Sequence, residues 1–212
     1  MSVPALVERA AQASAGDHAG FVSFRVEQTS HVDGGPIHRS ADVVLVAAYE
    51  NDRLIRVRVL KYVDNGKDAA DSTRSELEAR LSRTADGFAV PFDARHFGEY
   101  AYDPVDDRTV RFTSGLHDGR HGEGSFTVGS GAHVSELRYR PFVLPEHATS
   151  GVVEEYRSEV LPGFWATTRS VQRYTGRYLL IRGSAEITTM ESQFARYASR
   201  AQADAAVRNA SL

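Results

Sequence analysis

His117 and His121 flank the turn-forming pair Asp118-Gly119, a spacing that would bring two imidazoles together at a hairpin end and invites a metal-binding reading. A zinc site takes three or four ligands, so His96 or His133 would have to join from other loops. With two local ligands, a solvated glycine-rich turn is the expectation, and no metal. Asp64-Asn-Gly-Lys-Asp68 followed by Asp71 has the oxygen content of a calcium loop but lacks its alternating ligands and distal bidentate Glu. It reads as a turn entering a helix. Glu155 and Glu159 would share one face of a strand, with Glu154 on the other, an arrangement from which acid–base catalysis could be built. Ionised carboxylates avoid unpaired burial, so a solvated outer face is expected for all three. Neither a Gly-x-Ser-x-Gly elbow nor a phosphate- or dinucleotide-binding glycine loop occurs. The expectation is a protein without catalytic residues, metal or cofactor.

Bulk charge narrows the partners. Lys and Arg number 25 against 28 Asp and Glu, a formal net charge of -3, so nothing draws the chain toward nucleic acid or an anionic membrane. The absence of cysteine excludes disulfides and thiolate chemistry and is compatible with a reducing or an oxidising compartment. No run approaches the roughly 20 apolar residues of a transmembrane helix. Arg56, Arg58, Arg138, Arg140, Arg169 and Arg173 fall at strand spacing and could form a stripe for an anionic headgroup. Interleaving with acids such as Glu136 and Glu155 across strands makes a salt-bridged outer surface the default.

Placing these side chains requires a long antiparallel meander. Residues 4–14 form a short helix with Leu6, Val7, Ala10 and Ala11 on one side. Extended segments 21–28, 37–49 and 53–63 come next, joined by His31-Val-Asp-Gly-Gly-Pro36 and Glu50-Asn-Asp52. In the third, Ile55, Val57, Val59 and Val63 lie on one face and Arg56 and Arg58 on the other. Residues 71–82 make an inserted helix with Leu77 and Leu81 four apart. Short pieces at 88–91 and 97–102 lead to strands at 109–113, 124–128, 134–144, 152–161, 164–174 and 178–189. About ten strands with few helices cannot lie flat without exposing long edges, so the sheet should curl. The fold class is mainly β (α+β): an open antiparallel half-barrel, plugged or covered by helices 4–14 and 72–82. One domain spans 1–197, and 198–212 is an Ala-rich terminal helix or a frayed tail.

Large side chains inside these strands either fill the curve or wall a cavity. The aromatic set is Phe24, Phe112, Tyr139, Tyr156, Trp165 and Tyr178. Apolar pairs Phe24/Val26, Val57/Val59, Leu137/Tyr139 and Leu179/Ile181 are expected to converge on a concavity. Its candidate ligand-binding residues are Phe24, Val57, Val59, Phe112, Leu137, Tyr139, Tyr156, Trp165, Leu179 and Ile181.

The order of elements and the closing run Gly183-Ser-Ala-Glu-Ile-Thr-Thr-Met-Glu-Ser-Gln-Phe-Ala-Arg-Tyr197 resemble the bacterial lipoprotein-localisation-factor superfamily, the LolA-like half-barrels. Similar members end in a small-residue, Thr-rich strand, then an aromatic, a polar pair and an Arg-aromatic pair, here Phe194 to Tyr197. The resemblance implies a periplasmic or envelope-associated, non-enzymatic carrier that holds a lipid, acyl chain or lipidated peptide in its concavity. Export would require a signal that this sequence does not show, and a cytoplasmic location also stands. An envelope interaction or sensor module with a filled concavity is the alternative, and a small-molecule enzyme on the same scaffold a third.

Overall fold

The structure, a computed structural model, describes residues 3–17, 19–83, 87–178 and 181–212. Helix α1 (Ala5–Ser14) leads into strands β1 (Phe21–Gly34), β2 (Ile37–Glu50), β3 (Arg53–Asp64) and β4 (Lys67–Asp68). The β2–β3 turn places Asn51 and Asp52 at φ 46° and 67°, the left-handed pair that matches strand twist in a two-residue hairpin. Helix α2 (Asp71–Leu81) and a 3-10 turn (Ala94–Glu99) precede β5 (Tyr100–Pro104), β6 (Thr109–Ser114), β7 (Gly122–Val128), β8 (Val134–Pro141), β9 (Ala148–Leu161), β10 (Phe164–Tyr178) and β11 (Ile181–Tyr197). Helix α3 (Arg200–Arg208) ends the chain's regular structure.

These strands form one open, curved, entirely antiparallel sheet of eleven in the order β4-β3-β2-β1-β11-β10-β9-β8-β7-β6-β5. The pairing of β1 with β11 joins the two meanders. Paired residues share a face, so one row can be traced across nine strands: Tyr62, Val43, Gln28, Thr189, Ser170, Glu155, Leu137, Phe126 and Val110. This is the inner face. Over β5–β9 it is filled: Val110, Phe112, Phe126, Leu137, Tyr139 and Val153 are buried against Val7 and Ala10 of α1 and Ala89 and Phe92 of the segment ahead of the 3-10 turn.

Helix 72–82 is expected to plug the sheet, but residues 88–92 take that part. Helix α2 has no buried residue; Leu77 and Leu81 are too few apolar groups to seat it in the core. The 88–92 segment is held by Tyr100 Oη, which donates to the Ala89 carbonyl, by Tyr102 Oη donating to the Pro91 carbonyl at 2.7 Å, and by Ala89 N donating to the Arg120 carbonyl at 2.8 Å. Helix α2 instead protects an edge. Glu78 Oε1 accepts the Val59 amide at 2.7 Å, covering a backbone donor that an uncovered strand would offer to another chain.

The outer face carries α3, whose Ala203 and Val207 are buried on Ala48 among Phe21, Val46, Ile55 and Tyr197. The 198–212 segment thus contains a packed helix. Arg56 and Arg58 are tied to it, through the Asp204 carboxylate and the Arg208 carbonyl. Arg138, Glu154, Arg173 and Glu186 form an ion-pair ladder over β8–β11 with steps of 3.5, 2.8 and 2.9 Å. Three of the six arginines of the stripe, Arg56, Arg138 and Arg173, are therefore salt-bridged, with Glu154, Glu186 and Asp204 as partners in place of Glu136 and Glu155. Arg169 lies 5.5 Å over the Tyr156 ring, and Arg140 is exposed.

Two bulges in β3 correct the expected alternation. Register slips by one residue between Ala48/Tyr49 and again between Val44/Leu45 of β2. Each slip inserts one residue and reverses the facing of the residues beyond it. Val57 and Val59 stay inside, whereas Ile55 turns out against α3 and Val63 lies opposite Asp42 on the outer side.

Candidate functional site

At the Phe21 end of the sheet the inner face is not filled. A cavity of about 220 Å³ is walled by Val22 and Phe24 of β1, Tyr49 of β2, Phe164 and Trp165 of β10, and Glu191 and Phe194 of β11, with Asp17, Asp52 and Arg157 at its polar side. The rings form a continuous wall. Phe24 stacks on Tyr49 at 5.3 Å with planes 1° apart, Phe194 tilts against Phe24 at 5.3 Å, and Phe164 meets Phe194 edge-on at 6.2 Å. Trp165 lies flat on His133 at 4.6 Å.

Glu191 and Phe194 are three apart and would face opposite ways on a regular strand. Between them the β1–β11 register slips, and Gln193 adopts φ 54°. That bulge turns both side chains inward, in a backbone region sparsely populated by non-glycine residues.

Arg157 crosses the floor. Its Nη2 donates to Asp17 Oδ2 at 3.3 Å and to the Trp165 carbonyl at 3.4 Å, and its guanidinium lies 5.2 Å over the Phe92 ring. Asp17 Oδ1 also accepts the Trp165 amide at 2.9 Å. Both charged side chains are almost wholly buried, 7% and 1% exposed. Burial pulls the Arg157 pKa down against the charges of Asp17, Glu155 and Glu191.

Glu155 faces the same interior, so the solvated outer position expected for it is wrong; Glu154 takes the outer side and Glu159 is exposed. Its alternation with buried Val153 carries it inward. Desolvation raises its pKa, against the pull of Arg157 and hydrogen bonds with Thr167 and Tyr139. Glu191 is pushed up to about 8, first by desolvation and then by the charge of Glu155. Tyr49 lies close enough for the Glu191 charge to raise its phenol pKa beyond what burial does.

The ten residues expected to line the concavity fall into separate places. Phe24 and Trp165 wall the cavity. Phe112, Leu137 and Tyr139 are packed core beneath α1, with Phe88 stacked on Tyr139 at 3.8 Å. Val57 and Val59 are buried on the inner face of β3. Tyr156 faces outward beneath Arg169. Ile181 lies at the far end of the sheet against Gly35, where a Cβ would come within 3.1 Å of its Cγ2 and φ is +58°. Leu179 is outside the described residues, as is the side chain of Tyr178. Tyr49, Phe164, Glu191, Phe194 and the Asp17–Arg157 pair were not expected. Only Glu155 and Arg157 left a trace, in their period-two spacing from Val153.

The histidine turn is a separate cluster. His121 is buried, with Nδ1 2.6 Å from Asp118 Oδ1 and Nε2 3.0 Å from Glu99 Oε2; His96 Nδ1 is 2.8 Å from the same Glu99 oxygen. Burial works to lower the His121 pKa, but its bonds to Glu99 and Asp118 outweigh that and raise it. His117 instead stacks on Phe142 at 4.3 Å. Among the described residues no group of three or more His, Asp or Glu side chains is arranged to hold a metal. Likewise, no described helix is long and apolar enough to cross a membrane.

The sequence matches no known family model and none of the curated proteins. Fold and site define the chain as a mainly β protein whose open curved sheet is filled at one end and hollow at the other.

Proposed function

We propose that this protein is a non-enzymatic carrier that holds a lipid, acyl chain or lipidated peptide in the unfilled part of its half-barrel, in the bacterial envelope. One observation carries the reading. The inner face is sealed over β5–β9, whereas Val26, Val43 and Leu45 remain only half-buried on β1 and β2 and lead into the aromatic cavity, Val26 lying directly opposite Glu191. Half-covered aliphatic groups running into a ring-walled hollow suit a ligand with a hydrocarbon part. At about 220 Å³ the hollow is smaller than the roughly 300–1,000 Å³ of pockets that enclose whole drug-sized ligands. It therefore receives one end of the ligand, with the remainder along Val26 and Leu45. The likeness to LolA-like half-barrels supports the same reading.

Native mass spectrometry with solvent extraction, on protein purified without detergent, tests it. A lipid retained at defined stoichiometry is the expected result. Protein that is bare, and still bare after incubation with lipid vesicles, overturns the carrier and favours an envelope interaction or sensor module, for which the filled half beneath α1 is the supporting observation.

A further inference from the structure

We propose that the cavity beside Glu191 selects a cationic headgroup, an organic ammonium, at the end of the hydrocarbon ligand. The inference rests on the carrier reading and specifies which amphiphile the carrier takes.

Arg157 is the cation in the cavity wall; its Nη2 is engaged by Asp17 and the Trp165 carbonyl, while its Nε has no hydrogen-bond partner among the described residues. Asp52, at the mouth, pairs with Arg95 at 3.2 Å. Glu191 makes no hydrogen bond or ion pair among the described residues, and Glu155 lies deeper on the same face. An anionic headgroup entering here would meet two carboxyl groups and an arginine whose charge Asp17 already offsets. A cationic one would complete Glu191.

Ring geometry points the same way. Phe24, Tyr49 and Phe194 stand around the Glu191 side of the cavity, and aromatic faces attract cations through their quadrupoles, most strongly where water is excluded. Neighbouring rings already serve in this way: Arg196 lies 4.6 Å over Phe164, and Arg157 lies 5.2 Å over Phe92. An alkylammonium needs no directed acceptor array, only a carboxylate and ring faces. Its tail would then run along Val26 and Leu45, which are half-buried and paired in register away from Glu191.

Burial holds Glu191 largely protonated near neutrality, with a pKa of about 8. A bound cation favours the ionised form, so uptake should release a proton. The groups facing Glu191 are Glu155 and Arg157 of β9 and Tyr49 of β2, with Asp17 beyond Arg157.

Trp165 is the single tryptophan and stands in the cavity wall, so its fluorescence reports occupancy. The full chain would be titrated with decyltrimethylammonium, decanol and decanoate, each below its aggregation concentration, alongside Glu191→Gln. The expected result is an ammonium affinity at least about tenfold above decanol and decanoate, rising from pH 6.5 to 8.5. In Glu191→Gln this preference should disappear, with a cooperative thermal melt and an unchanged far-UV circular dichroism spectrum showing that the variant is folded. Equal affinity for ammonium and decanol in both proteins overturns the headgroup inference and leaves the carrier reading intact. Preference for decanoate overturns it in favour of an anion site at Arg157. Failure of all three to bind the unaltered protein overturns the headgroup inference and the carrier reading together.

Discussion

Arg157 of β9 reaches Asp17, just beyond α1, across 3.3 Å, and the two side chains are 7% and 1% exposed. The pair joins the plug to the sheet at the cavity floor. Desolvating two ions offsets most of their attraction, so the net contribution of the pair is small, but removing one partner strands the other. Asp17→Ala should cost about 3–5 kcal/mol, and Arg157→Met a similar amount. The double variant should lose much less than the sum, as urea denaturation in a double-mutant cycle would show. Additive losses would mean that the two charges act independently.

Glu191 gives stability a definite pH dependence. Its pKa rises from the ordinary 4.5 in the unfolded chain to about 8 in the fold, so between those values the folded state holds a proton that the unfolded state has released. Stability should then decline as pH rises through that window, by at most about 1.4 kcal/mol per pH unit. Glu191→Gln should match the parent near pH 4.5 and exceed it at pH 8.5 in thermal melts. Parallel curves at every pH would show that Glu191 is not desolvated.

His121 works through its two carboxylates. Glu99 and Asp118 are held below their ordinary pKa values, each chiefly by its hydrogen bond to His121, and His121 is held above 6.5. The imidazolium contribution is complete below pH 6.5 and is lost as pH rises through the raised folded value; the carboxylate contribution is lost as pH falls through theirs. An NMR titration of the His121 ring should give a midpoint above 6.5, falling back in Glu99→Gln. A midpoint below 6.5 would mean that burial wins.

Removing the edge cap should expose β3. In Glu78→Ala the Val59 amide loses its acceptor, which should speed its hydrogen exchange locally and promote self-association through the uncovered edge. Exchange as slow as in the parent, with no change in light scattering, would show that something other than Glu78 guards the strand.

The meander was legible in the sequence because period-two runs from Phe21 and turn pairs such as Asn51-Asp52 are local signals, and an open sheet is the consequence of many strands with few helices. Helix α1 was legible from Val7, Ala10 and Ala11. The cavity was not, since it depends on where alternation fails. The one-residue slip at Gln193 puts Glu191 and Phe194 on one side, and the slips in β3 send Ile55 and Val63 outward. A bulge leaves no mark in composition or periodicity; it is chosen by the packing of the whole sheet. Which half of the curve is filled was likewise decided in three dimensions. Phe88, Ala89 and Phe92 come from a short stretch with no helical period, and that stretch is held in place by distant partners: the hydroxyls of Tyr100 and Tyr102, eleven residues further along the chain, and the Arg120 carbonyl.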